Sequence, residues 1–366
     1  MAAKQVKKTR RTFPGISSRA WEHPADRAAL VTLRSLSGVD TVLRKLAGLL
    51  RERQYRLLYL ASAIRVDRRQ FSEIDDLYLG ALHVLDSPRR PELYLRQDPV
   101  PQAMTLGIDE PFIVLSTGMV DLMDADELRF VLGHEIGHAL SGHGVYRTVL
   151  TVLMQLADSF GALPAGRLGL QSMIAALNEW SRKSELSADR AGLLASQDEV
   201  VALRVMMKLA GGPELAKMDT DAFLEQAAEY ESTGDLRDGV LKLINLLPQT
   251  HPFSVPRAAA LRAWVASGEY GTILGGDYPK REDDGSARIG EQFTAAAKSY
   301  KERFEASTDP LFTTLRSVGQ DLGGAAGAAG RGFADMVSGL FGRGEQAGSG
   351  SGGSADGGET PDPGKN

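Results

Sequence analysis

At 366 residues the chain is long enough for one large domain or two small ones around a buried core. Apolar residues make up 43% and charged residues 24%, as in globular proteins, and a formal charge of -5 argues against a general nucleic-acid binder, which is strongly basic. Cysteine is absent, so disulfides and thiolate metal ligands are excluded, and any transition metal must be held by His, Asp or Glu.

Residues 1–28 carry Lys4, Lys7, Lys8, Arg10, Arg11 and Arg19 without sustained periodicity and read as a mobile basic arm. No apolar leader core follows the arm, and no stretch reaches the about 20 apolar residues of a membrane span. The expectation is therefore a cytoplasmic protein, with peripheral contact to anionic lipid open to the arm. From Val31 to Val66 apolar residues such as Leu43, Leu46, Leu50 and Leu57 recur near helical spacing, and a second helix is expected over Phe71 to Leu85. Glu92 to Arg96, Gln102 to Ile108 and Phe112 to Ser116 are short segments between Pro, Gly and Asp, which suits a small sheet.

Asp124-Ala125-Asp126-Glu127 has the form of a helix start, with an N-cap carboxylate and a Glu three residues on. The helix runs from Leu128 to His143. Others are expected over 145–158, 171–196, 200–210 and 221–247, with one more after Pro256. The last 23 residues hold eight glycines and no large apolar side chain, and 311–366 reads as a largely disordered tail. Both tails are open to a partner protein, and Phe333 to Phe341 is a candidate docking helix. The fold class is α+β and predominantly helical, with one domain over 29–310.

The helix beginning at Asp124 carries His134-Glu135-Ile136-Gly137-His138. Residues four apart on an α-helix project from one face, so both imidazoles reach a single ion, and Glu135 is placed to take a proton from a water molecule. Gly133 and Gly137 each cost roughly 1 kcal/mol of helix propensity, which local stability does not explain; they let another element approach closely. A catalytic zinc site has three protein ligands. His143 is a poor third, lying half a turn away, and is expected at the helix C-terminus beside the dipole. Glu185 and Asp189 stand four apart on a downstream helix, where their like charges repel unless a cation intervenes. Glu185 is the third metal candidate, and Asp189 the partner for Nδ1–H of a ligand histidine.

HEIGHALSGH, then SRKSELSADRAG, then THPFSVPR resembles the HtpX-like and CAAX-prenyl-protease family of gluzincin zinc metallopeptidases over roughly residues 70–265. The resemblance implies a zincin-like domain with one Zn2+ held by His134, His138 and Glu185, Glu135 as general base and Asp189 behind a ligand histidine. It also implies that His251, beside Pro252, stabilises the oxyanion or occupies the fourth metal position in a latent state, with Arg257 assisting or anchoring it. The segment Gln102, Ala103, Met104 and Thr105 would form the edge strand flanking the metal helix and pair with extended substrate. HtpX-type and prenyl-processing members carry transmembrane helices; this sequence shows none and is closer to members without them. The function expected is zinc-dependent endopeptidase action on a polypeptide. A non-catalytic zinc-binding or chaperone-like module, and a latent protease held off by His251, stay open.

Overall fold

The computed structural model describes residues 9–27, 52–107, 110–159, 164–232 and 253–284. His251 and the tail from 311 to 366 lie outside them, as does the 31–51 part of the stretch read as helical.

The first described helix, α1, covers Glu52–Ser62, and β1 follows at Ile64–Arg65. The helical periodicity expected up to Val66 therefore stops short, because Ile64 and Arg65 pair with Leu95 and Tyr94 of β2, Glu92–Arg96. Helix α2, Ser72–Val84, lies between these two strands in sequence. Ala103–Leu106 forms β3 and Phe112–Ser116 forms β4. The four strands lie in the order β1-β2-β4-β3, with β2 and β4 parallel and the outer pairs antiparallel, so β3 is an edge.

Period-two alternation divides the sheet. Leu93, Leu95, Ala103, Ile113 and Leu115 face the main helical core, while Tyr94, Phe112 and Val114 pack with Tyr59 of α1 on the other side. Both faces are covered, which is why β4 is buried throughout and reads as a continuous apolar run.

After a short α3, Thr117–Leu122, comes α4, Ala125–Leu140. Its start is the expected capping box: Asp124 accepts from the Glu127 amide at 2.9 Å, and Glu127 accepts from the Asp124 amide at 2.8 Å. The Glu127 carboxylate, fully buried, is also held by Lys208 at 2.6 Å. Helices α5, His143–Ser159, and α6, Pro164–Ser196, follow, then α7, Glu199–Gly211, and α8, Thr220–Ser232. Two more, α9, Ser254–Ala266, and α10, Glu269–Gly275, complete the described helices.

Helix α4 crosses α6 through glycines. A Cβ placed on Gly133 would stand 2.3 Å from the Ala195 Cβ, and one on Gly137 would stand 2.5 Å from that of Ala191. Only hydrogen fits at either position, so the two helices approach more closely than side chains permit.

The N-terminal arm is corrected. Residues 9–27 are packed into the domain, with Phe13, Ile16 and Trp21 buried. The Phe13 amide donates to the Val84 carbonyl at 3.0 Å, and the Arg281 amide donates to that of Gly15 at 2.8 Å. Three apolar anchors spread over nine residues carry no helical or strand period, yet each fills a gap between elements distant in sequence. Among the described residues no helix is long and apolar enough to cross a membrane.

A candidate metal centre

The close α4–α6 crossing sets His134 and His138 opposite Glu185, and all three side chains are buried. His134 Nε2 lies 3.1 Å from His138 Nε2, 3.4 Å from Glu185 Oε2, and His138 Nε2 lies 3.2 Å from Glu185 Oε1. Tetrahedral ligands about 2.0–2.1 Å from an ion stand about 3.3 Å apart, so this donor set fits a zinc-sized cation in both chemistry and spacing.

Each imidazole is held from behind. His134 Nδ1 donates to Asp189 Oδ1 at 3.0 Å, and His138 Nδ1 meets His143 Nδ1 at 2.9 Å. Asp189 in turn accepts from Arg257 Nε at 2.8 Å and from Nη2 at 2.5 Å. Arg257 Nη1 also lies 3.5 Å from Glu185. Burial alone would protonate Asp189, but the Arg257 charge and hydrogen bonds outweigh it and keep the carboxyl below its usual range. Arg257 thus lies against both Asp189 and Glu185 of α6, sharing Glu185 with Arg147, a partnership that spacing could not reveal.

For His134, burial disfavours the charged ring, yet hydrogen bonds and charge from Asp189 and Glu185 carry its pKa up to about 9. His138 moves the other way. Burial and the adjacent Arg147 charge hold it neutral, well below the ordinary histidine value.

Glu135 is buried on the same helix, and burial pushes its carboxyl up. Thr105 Oγ1 lies 2.7 Å from Glu135 Oε2 and 2.9 Å from the Glu135 carbonyl oxygen. A hydroxyl has one hydrogen and two acceptor sites, so it can donate to a carboxylate or accept from a carboxylic acid while donating to the carbonyl. Glu135 therefore has a partner in either protonation state.

The sequence-derived residues divide as follows. His134, Glu135, His138, Glu185, Asp189 and Arg257 come together. Gln102 and Ala103 share a cavity of about 900 Å³ with His134, Glu135, Glu185 and Arg257. Thr105 points to Glu135, and Met104 packs on the opposite face of the sheet with the Tyr59 cluster. His143 is corrected: it opens α5 instead of closing α4, because Ser141 caps α4 and Gly142 turns the chain at φ 70°. Sequence reasoning missed Arg147, whose Nη1 donates to His138 Nε2 at 2.8 Å and to Glu185 Oε1 at 3.1 Å. Its one signal is a single charge within the otherwise uncharged run from Gly144 to Ala157, which is weak.

Two imidazoles from one helix turn, a third donor from a crossing helix and a buried glutamate facing the same cavity define the site of a gluzincin-type metallopeptidase. The chain belongs to peptidase family M48, whose family model matches residues 68–265. It is a metal-dependent protease by family. It is 35% identical over 270 residues to the plastoglobule-localized metallopeptidase 48, chloroplastic, of Arabidopsis thaliana, covering 72% of this chain and 77% of that protein. It is 25% identical over 202 residues to the protease HtpX of Thioalkalivibrio sulfidiphilus and 27% over 205 to that of Xanthomonas oryzae pv. oryzae. Each of these covers 47% of this chain, and they span 65% and 66% of the HtpX proteins. No solved structure matches it.

Proposed function

We propose that the protein is a zinc-dependent endopeptidase in which His134, His138 and Glu185 hold the metal and Glu135 is the general base. The observation that carries this reading is the triangle of donor atoms 3.1–3.4 Å apart, beside a buried carboxylate at the wall of an open cavity. Zinc in that triangle would supply Lewis acidity toward the scissile carbonyl and make a water easier to deprotonate near neutral pH.

The chain's own groups do the rest. Glu135 takes a proton from the attacking water as the new C–O bond forms, and returns it to the amine as the C–N bond breaks. Thr105 holds the carboxyl in both states. The raised proton affinity of Glu135 brings it closer to that of a group that can both accept and donate near neutral pH. Asp189 fixes the His134 ring, and Arg257 keeps Asp189 ionised. The open edge of β3 at Gln102 and Ala103 receives the substrate main chain through backbone hydrogen bonds, which makes few demands on side chains.

Glu135→Gln tests the assignment. The variant is expected to bind zinc in the wild-type ratio while losing cleavage of casein by at least about a hundredfold. Full activity in that variant would sink the role of Glu135, and a wild type that binds no zinc would sink the metal.

A further inference from the structure

His134 and His138 are supported differently. Asp189 contacts His134 directly, whereas the Nδ1 of His138 meets another imidazole. That second ring belongs to His143, which is buried and edge-on to Trp180 at 5.5 Å between centroids. Its Nε2 lies 3.2 Å from Asp26 Oδ2. Asp26 is 2% exposed and also accepts from Ser187 Oγ of α6 at 2.6 Å.

The direction of this chain follows from its two ends. Arg147 has only donors, and its Nη1 lies 2.8 Å from His138 Nε2 and 3.1 Å from Glu185 Oε1. With the guanidinium donating to both, no ring hydrogen is needed between Nε2 and the carboxylate 3.2 Å away, and the hydrogen goes on Nδ1. His138 Nδ1–H therefore donates to His143 Nδ1. The His143 hydrogen is then on Nε2, where the Asp26 carboxylate accepts it. With the His138 hydrogen on Nδ1, this placement gives a donor and an acceptor at both links of the chain. A lone pair on His138 Nε2 is also what a metal ligand needs.

We propose that Asp26, acting through His143, is a positioning residue that sets the tautomer and orientation of His138. The N-terminal segment does at a distance for one imidazole what Asp189 does by contact for the other. Asp26 lies outside residues 68–265, the part of the chain matched by the family model. Its placement is well supported: the His23 amide donates to Ser187 Oγ at 2.9 Å, and Trp21 Nε1 donates to Ser141 Oγ at 3.1 Å, just past the end of the metal helix. The proposal takes His138 as a metal ligand from the functional reading above.

The test uses the full chain and two measurements. Zinc affinity is read by competition with a chromophoric chelator for wild type, Asp26→Asn, His143→Ala and the double variant. Asp26→Asn and His143→Ala should each weaken binding by about 10–100-fold, and the double variant should be no weaker than His143→Ala alone. Losses that multiply in the double variant, or an Asp26→Asn affinity within about twofold of wild type, would overturn the proposal. The second measurement is imidazole nitrogen NMR of the metal-free wild type, which needs no variant to fold. It should show His138 as the Nδ1–H form and His143 as the Nε2–H form; the opposite tautomers would also overturn it. A wild type that binds no zinc yet shows these tautomers would refute the metal reading and not the relay.

Discussion

The closest constraint on the metal centre is the space between α4 and α6 at Gly133, and Gly133→Ala probes it with one methyl group. The added Cβ would lie 2.3 Å from the Ala195 Cβ, whereas carbon atoms settle about 3.5–4.0 Å apart. The helices must separate by roughly 1.2–1.7 Å or tilt to relieve the clash. Overpacking of this kind costs about 1–3 kcal/mol, and alanine returns about 1 kcal/mol of helix propensity. The net expectation is a loss of about 0–2 kcal/mol. The same movement stretches the 3.2 and 3.4 Å separations between the histidines on α4 and Glu185 on α6, so zinc binding should weaken by about tenfold or more. Urea denaturation of the metal-free protein and chelator competition read the two effects. Ala195→Gly in the same chain removes the opposing methyl and should restore most of the zinc affinity. A Gly133→Ala protein more stable than wild type, with unchanged affinity, would refute the close crossing as the device that assembles the site.

Thr105→Val keeps the side-chain shape but removes the hydroxyl from Glu135; kcat should fall about tenfold with little change in KM, and an unchanged kcat would exclude a role for Thr105. Arg257→Leu leaves the buried Asp189 and Glu185 without their common cation and should cost about 3–5 kcal/mol of stability, read by thermal or urea unfolding. Arg147→Ala removes a charge that competes for His138 Nε2 and Glu185 Oε1, so zinc should bind about tenfold more tightly; weaker binding would show that the guanidinium supports the loaded site. His23 tests the N-terminal segment by pH. Burial first, then the charges of Arg190 and Lys183, lower its pKa from 6.5 to about 4, against a smaller opposing effect of Asp26, and its Nδ1 accepts from the Ala25 amide at 3.0 Å. The unfolded chain therefore binds a proton that the folded one refuses, so the contribution is complete above pH 6.5 and is lost as the pH falls toward 4. On the order of 2–3 kcal/mol should disappear over that window, and His23→Gln should flatten this part of the stability profile.

Much of the site was legible because its parts are local. The i, i+4 spacing of His134 and His138 and of Glu185 and Asp189 follows from helix geometry alone, and the absence of cysteine left few other donors. The capping box at Asp124 was equally readable, since its partners are three residues apart. The glycines at 133 and 137 announced a close approach without naming what approaches. Harder to read were residues whose meaning depends on a distant neighbour. Ile64 and Arg65 carry on an apolar pattern that suits a helix, and only pairing with β2 makes them a strand. Phe13, Ile16 and Trp21 have no period, so their burial was invisible.

The sequence by itself therefore determined which side chains can share one helix face, and with them the candidate donors. Tertiary structure decided how far apart those faces stand and what lies behind each ligand. It brought Asp26 to His143, Arg257 to Asp189, and Arg147 and Thr105 into a centre where nothing in their own neighbourhoods called for them. The physical reason is that helix periodicity is a property of a few consecutive bonds, whereas hydrogen-bond partners 30 to 160 residues apart are chosen by packing, through contacts such as Thr105–Glu135 and Asp26–Ser187.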